Sequence, residues 1–548
     1  MGNQLVEGFQ LSPQQKRVWP LQRGASHYRV ECEVLIAGLL KRNVLAAALR
    51  EVICRHEILR TAFQGLEGME IPLQVINEHS ETVSHQEVDL TALNQDMQRA
   101  VVEENVRKLH RIPFDHEHGT VMRTCLFELA PRKHSLLISI SALCADVWTI
   151  NHLVRVIGHS YEAALNGALV SGEVVQYADY SEWQNELLEN EDQSDARAFW
   201  DEHHGPQPPE LMLPLETANG ELSIEPQLLK VRVDRQLLTS VQLLAAEQET
   251  TASTVMLACW QVALGRLAEQ ENVTVATAFD GRRFQYLQGA LGPFGKFLPI
   301  RCHLEPTSRY RDVLRATHSS LGLAHARQEW FSGQFDSSVL EGFTEPLVPT
   351  IGFAYMEQPL TQQVADLLFV VDRPYSCNEQ FKLGLFCIDE IDEYGLKFYY
   401  APDRYDYDSI VRLADQFVTL LSSAVLNPDQ PIFALPMLSE EEREQLVVGW
   451  NDTGREYVGE ECLHKLFAAQ AERTPGAIAV SYEGEELSYR ELNERANQVG
   501  QYLQGVGVGA EVLVGLCVER SLEMVVGLLG ILKAGGAYVP VDPQYPVE

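Results

Sequence analysis

The chain is short of paired cysteines, of positive charge and of long apolar runs, and each shortage excludes something. Its ten cysteines, at positions 32, 54, 125, 144, 259, 302, 377, 387, 462 and 517, include no C-x-x-C pair. The spacing predicts reduced, mostly buried thiols, and neither a disulfide framework nor a zinc site nor any other metal site. Lys and Arg number 43 against 77 Asp and Glu, for a net charge of −34. A surface that acidic repels phosphate backbones and anionic lipid, so neither nucleic acid nor a membrane surface is an expected partner. No uninterrupted apolar stretch reaches bilayer length, and the start lacks the basic segment and apolar run of a secretory signal, so a cytoplasmic location is expected. Repeats and low-complexity tracts are also missing, which argues against solenoids and disordered arrays.

What remains is an ordinary globular balance, 45% hydrophobic and 22% charged, spread over 548 residues. That is too long for one core, so two or more folding units are expected. Helix and strand patterns alternate along the chain, which predicts an α/β fold. Leu45, Ala48, Leu49, Val52 and Ile53 share one helical face within 39–55. The apolar run from Leu136 to Leu143 reads as a strand leading, through Cys144, Ala145 and Asp146, into an amphipathic helix carrying Leu153, Val154, Ile157 and Tyr161. A strand–loop–helix step of this kind presents polar side chains at a strand end, where many active sites lie. The acid-, Pro- and His-rich stretch 189–209 reads as a connection between lobes. Beyond it, helices are predicted over 237–247 and, with a Ser/Thr N-cap, 253–270. Strands follow at 273–279 and 395–400, and a helix over 409–426 closes the unit. The boundaries are thus an N-terminal lobe over 1–188, a C-terminal lobe over 189–437, a linker over 438–459 and a new unit over 460–548 that reads as the opening of a domain.

Several stretches together resemble the condensation domain of non-ribosomal peptide synthetases. Leu11-Ser-Pro-Gln-Gln-Lys-Arg-Val-Trp19 resembles LSxxQxRxW, and Arg55-His-Glu-Ile-Leu-Arg-Thr-Ala-Phe63 matches RHExLRTxF. Pro113-Phe-Asp115 with Gly119 and Arg123 matches PFDxxxGxxxR, and Tyr177 to Gln184 is similar to YxDYAxWQ. Gly281-Arg282, followed by Gly292 to Arg301, resembles the GR…GxFxNxLPxR region. Each is weak alone; together they run in the family's order along the first ~430 residues. Leu487 to Asn493 and Leu532 to Pro546 resemble the LTYxELN and LKAGxAYVPxDPxYP motifs of an adenylation domain.

The resemblance implies two lobes of the chloramphenicol acetyltransferase type, arranged as a V-shaped pseudo-dimer with a tunnel between them, followed by a partial α/β adenylation segment. It also implies acyl or peptidyl carrier proteins as partners, along with the rest of the synthetase module. The phosphopantetheine arms of those carriers would deliver the substrates, no cofactor would be tightly bound, and ATP with Mg would serve only a complete adenylation domain. Because Met1 lies close to the opening motif, the donor is expected from another chain, unless the module starts its assembly line.

The family's HHxxxDG signature aligns with Ser141-Ala142-Leu143-Cys144-Ala145-Asp146-Val147, so both histidines and the glycine are replaced. Imidazole titrates near neutrality and can accept and return a proton; alanine cannot. His-based amide formation therefore lacks its agent at Ala142. The heterocyclisation relative carries DxxxxDxxS at this place, and Ser141, Asp146 and Thr149 keep only part of it. Three readings follow: acyl transfer by positioning, a silent platform for a carrier protein or tailoring enzyme, or an altered cyclising or dehydrating reaction using Ser141, Asp146 and Thr149. Asp146 is expected to be structural, paired with Arg301 across the cleft, and Arg55 to support the loop from beneath. Lys296 and Cys144 are candidates for lining the tunnel or meeting the carrier arm. A buried, inert thiol is the more ordinary fate of Cys144, and a solvated surface position is as ordinary for Lys296.

Overall fold

The computed structural model describes residues 8–22, 28–65, 68–78, 84–168, 170, 172–189, 196, 198–200, 211–214, 216–217, 226–331, 350–356, 360–376, 379, 381–389, 394–455 and 461–545. Most of the connection expected over 189–209 lies outside these residues, as does the end of the expected linker. The chain separates into two compact units, residues 1–444 and 445–548.

The first unit is built on two six-stranded sheets. One has the order 361–364, 367–376, 29–37, 133–141, 122–130, 84–89, antiparallel throughout except for its last pair. Its centre is Lys133–Ser141, in which every residue after the first is buried. One face carries Leu136, Ile138 and Ile140 and the other Ser135, Leu137, Ser139 and Ser141, and burial of both fits a strand covered on both sides. Two helices cover one face together. Arg42–Arg55 buries Leu45, Ala48, Leu49, Val52 and Ile53, and Val147–Leu165 buries Ile150, Leu153, Val154, Ile157 and Tyr161. These i, i+3, i+4 sets form the apolar stripe that drives each helix onto its neighbour.

The second sheet has the order 296–303, 272–279, 351–356, 383–389, 394–400, 227–233. Its covering helix Ala252–Leu267, N-capped by Thr251, is buried nearly all round, with Trp260 edge-on to Phe398 and Phe417. The helix Tyr407–Leu426 is long and apolar enough to cross a membrane by composition. Here it lays Ile410, Leu413, Phe417, Leu420 and Leu421 into the core of this lobe.

The sequence boundary at 188/189 does not divide the sheets cleanly. The hairpin Thr361–Val364 and Leu367–Ser376 leaves the C-terminal half and completes the N-terminal sheet by pairing with Arg29–Ala37. Its register joins Ser376 to Val30, and Val30 to Ile140 on the next strand. The strands 367–376 and 133–141 therefore run in the same direction, one strand apart, and end at the same edge.

In the second unit, Leu513–Leu516 and Ala537–Pro540 pair in parallel through the crossover helix Leu522–Ala534. Gly535 ends that helix in the left-handed region at φ 89°, where glycine carries no Cβ penalty. Ser488 and Glu491 form a reciprocal capping box at the start of Tyr489–Gly505.

Gly281 sits at φ 75°, and a Cβ there would collide with the carbonyl of Phe294. Gly281→Ala is expected to lower stability by roughly 2–4 kcal/mol, from left-handed strain plus overpacking. Urea unfolding of the purified chain measures this, and a loss below about 0.5 kcal/mol would show that the 281–294 turn relaxes freely.

Candidate active site between the lobes

Asp146 is the N-cap of the helix Val147–Leu165, so its carboxylate faces the first turn of orphan N–H groups. Its Oδ1 accepts from Thr149 N at 2.7 Å, and Asp146 N donates back to Thr149 Oγ1 at 3.2 Å. The other carboxylate oxygen crosses to the second lobe, where it accepts from Gly295 N at 2.7 Å and from Arg282 Nη1 at 3.3 Å. Arg282 is fully buried, and Asp146 is 3% exposed at the side chain. The guanidinium also binds Asp280, the carbonyls of Ala290 and Gly292, and Thr149 Oγ1, and lies 4.6 Å over the ring of Phe294. Burial alone would lower its pKa, but Asp146 and Asp280 outweigh that and hold it above its ordinary value.

Aromatic packing seals this knot. Tyr177 and Tyr180 lie 4.9 and 4.7 Å from Phe294, and Tyr177 Oη meets Ser12 Oγ at 2.7 Å and donates to Pro293 O. Gly292 presses against the Tyr177 ring so closely that a Cβ would overlap it. Trp183 packs edge-on to Phe284 of the second lobe.

The expected pairing of Asp146 with Arg301 is therefore corrected. Arg301 is exposed on the edge strand Lys296–His303 and donates to Asn272. Edge strands alternate sides, and position 301 falls on the outward side. Arg55 does not lie beneath the loop either; it donates to the carbonyls of Val170 and Gly172. Lys296 is neither solvated nor available as a free cleft cation. It is 4% exposed, within 2.7 Å of Glu329, and Tyr180 Oη donates to the same carboxylate. Burial lowers the Lys296 pKa while Glu329 pulls against it. Cys144 is 0% exposed within the apolar core and does not reach the cavity; burial pushes its thiol far up.

The trio Ser141, Asp146 and Thr149 does not converge. Thr149 Oγ1 is spent in the cap and lies 2.7 Å from Gly292 O. Ser141 is wholly buried and turns to the other side of its strand end, where its Oγ lies 2.9 Å from His116 Nε2 and 3.2 Å from Gln22 Nε2. His116 stands inside the PFDxxxG match and partners the residue at the first motif-histidine position. Burial lowers its pKa to about 4, so it is neutral near pH 7. It lines a separate pocket with Trp19, Phe63 and Phe114.

Ala142, which the motif reading aligns with the second histidine, lines a cavity between the lobes. Asp146, Trp148, Gly295, Lys296, Phe297 and Phe381 share its walls. Among the described residues lining it, none is a histidine. His152 lies on the helix after the loop, its pKa lowered to about 4 by burial and Arg282, and it does not line the cavity. Sequence reasoning missed two members of the wall, Arg17 and Glu379, whose ion pair spans 2.6 Å. Arg17 stands inside the LSxxQxRxW match and could have been found there; Glu379 belongs to no motif.

The described residues of the first unit thus form two sheet-and-helix lobes joined through the Asp146–Arg282 contact. The family model "Condensation domain" matches residues 7–447, and "AMP-binding enzyme" matches 467–548. The chain belongs to the condensation-domain family of non-ribosomal peptide synthetases and continues into an AMP-binding segment. It is 30% identical to tyrocidine synthase 3 of Brevibacillus parabrevis over 99% of its length, and 29% identical to gramicidin S synthase 2 of Brevibacillus brevis over 98%. It covers 8% and 12% of those relatives, so it corresponds to a small part of each. Solved structures share the fold. A four-domain nonribosomal peptide synthetase bound to AMP and glycine aligns at TM-score 0.78 and 20% identity over 99% of this chain and 43% of that one. The X-domain complexed with OxyB from teicoplanin biosynthesis aligns at 0.64 and 21%, over 80% of this chain and 99% of that one.

Removing one partner of a buried pair strands the other, at a cost of about 3–5 kcal/mol. Arg282→Ala is expected to lose that much stability, whereas Arg301→Ala stays within about 0.5 kcal/mol. Equal losses in urea unfolding would reverse the assignment.

Proposed function

We propose that residues 7–447 join an acyl group and an amine, each delivered as a carrier-bound thioester on a phosphopantetheine arm, by positioning rather than by imidazole catalysis. The observation that carries this reading is the wall of the interlobe cavity: Ala142 reaches it, and Asp146 at its edge is committed to Arg282. Holding amine and thioester at reacting distance converts a two-body encounter into a one-body step and can supply about 7–11 kcal/mol of barrier reduction in the best cases. The carriers and the remaining synthetase domains are the partners this reading requires.

The geometry disfavours the cyclising or dehydrating alternative. Ser141 is buried with its Oγ against His116, and Thr149 is locked into the helix cap. Neither is among the side chains that meet the cavity.

Incubating the chain with donor and acceptor aminoacyl carriers, then analysing the carriers by intact mass, tests the reading. An amide-joined product is expected. Ser141→Ala should leave its rate within about threefold, since Ser141 acts through packing. No product from any pairing would identify the domain as a silent platform, and loss with Ser141→Ala at unchanged stability would restore a serine-based reaction.

A further inference from the structure

The cavity keeps one ionisable arrangement that the lobe-joining contacts do not consume. The charged and titratable side chains lining it, among the described residues, are Arg17, Asp146, Lys296, Tyr375, Glu379 and Tyr399. Asp146 is held by Arg282 and Gly295, and Lys296 by Glu329. Arg17 and Glu379 hold each other, 21% and 12% exposed at the side chain.

This pair and Ala142 line the same cavity, and the sheet register relates the strands that lead to them. Strands 367–376 and 133–141 run the same way with 29–37 between them, and Ser376, Val30 and Ile140 lie side by side. Ala142 follows the end of one strand, and Glu379 comes three residues after the end of the other. Two interstrand spacings, about 10 Å, separate those strand ends. Arg17 approaches from the helix Pro13–Gln22, whose Gln15 donates to the carbonyl of Leu143, next to Ala142. The Glu379 carboxylate and the Ala142 side chain thus share one cavity, fed by strands that end on the same side of the sheet.

We propose that Glu379, positioned by Arg17, is the catalytic residue that takes the proton of the acceptor amine in this cavity. This rests on the transfer reading above. The amine nitrogen forms a bond to the thioester carbonyl carbon and the C–S bond breaks. The proton lost by nitrogen passes to the Glu379 carboxylate and then to the departing thiolate, which leaves as a thiol. Charge and atoms balance, and the carboxylate is regenerated. Burial raises the Glu379 pKa to about 7, against the downward pull of Arg17, so near neutrality the group can both accept and return a proton.

The test uses the 548-residue chain with glycyl-, leucyl- and phenylalanyl-N-acetylcysteamine thioesters, paired as donor and acceptor, and follows amide product by mass spectrometry from pH 5.5 to 9. The wild-type rate is expected to rise with pH through about 7 and then level, because the base must be ionised. Glu379→Gln should lower the plateau by about 100-fold and leave only the limb set by the acceptor amine's own titration. Arg17→Met should move the rising limb to higher pH, since Arg17 holds the carboxyl down. Glu379→Asp, which keeps the carboxylate, should retain the limb at reduced rate and carries the test if Glu379→Gln fails to fold. Amide formation with unchanged rate and profile in Glu379→Gln would overturn this assignment alone. No amide from wild type with any pairing would overturn the transfer reading, and this one with it.

Discussion

The buried contact between Asp146 and Arg282 is the constraint on which the rest depends. One carboxylate caps the first turn of Val147–Leu165 with Oδ1 and reaches the other lobe with Oδ2. The loop 142–146 is therefore fixed at both ends. Strand pairing ends it at Ser141, and the cap fixes it at Asp146, so the side chain of residue 142 can point only where this frame sends it. A buried ion pair is weak evidence of net stability, because desolvation offsets attraction. Its value here is registry: Asp146 binds Gly295 N and Arg282 together, and Phe294, next to the one and under the other, packs against Tyr177 and Tyr180. One lobe cannot slide on the other without exposing a charge.

This frame is built without any side chain beyond Cβ at position 142. Asp146 belongs to the scaffold, whereas Ala142 is buried in the core of the first lobe with its side chain at the wall of the cavity. The cap and the interlobe pair are made by Asp146, Thr149, Arg282 and Gly295, and none of their hydrogen bonds uses the side chain of Ala142. Ser141 shows the complementary case. A buried hydroxyl needs partners, and His116 and Gln22 supply them from other elements. The chain thus keeps an imidazole near the motif, but on the far side of the strand end, in another pocket.

Much of the fold was legible because periodicity and caps are local. The strand at 133–141, the helix at 42–55 and the helix after Thr251 stand within a few residues of where their patterns place them. The return of hairpin 361–376 to the first sheet was not legible, since strand partnership across more than 300 residues leaves no local trace. The site divides in the same way. The cap formed by Asp146 is a local feature, because a carboxylate at a loop–helix step has orphan N–H groups within reach. Its partner is not local, because arginine reach depends on which face of a strand or turn is presented. Arg282 lies in a turn directed at the helix cap, while Arg301 lies on the outer side of an edge strand. Lys296 and Glu329 meet across a separation of 33 residues, a pairing that charge counting does not reveal.

The claim that Asp146 is kept for architecture is tested most directly by a double-mutant cycle of Asp146→Ala and Arg282→Ala in urea unfolding. A coupling energy of about 2–3 kcal/mol is predicted, at the upper end of what contacting residues show. Additive losses, within about 0.5 kcal/mol, would mean that the two groups do not depend on each other, and the frame built on them would fail.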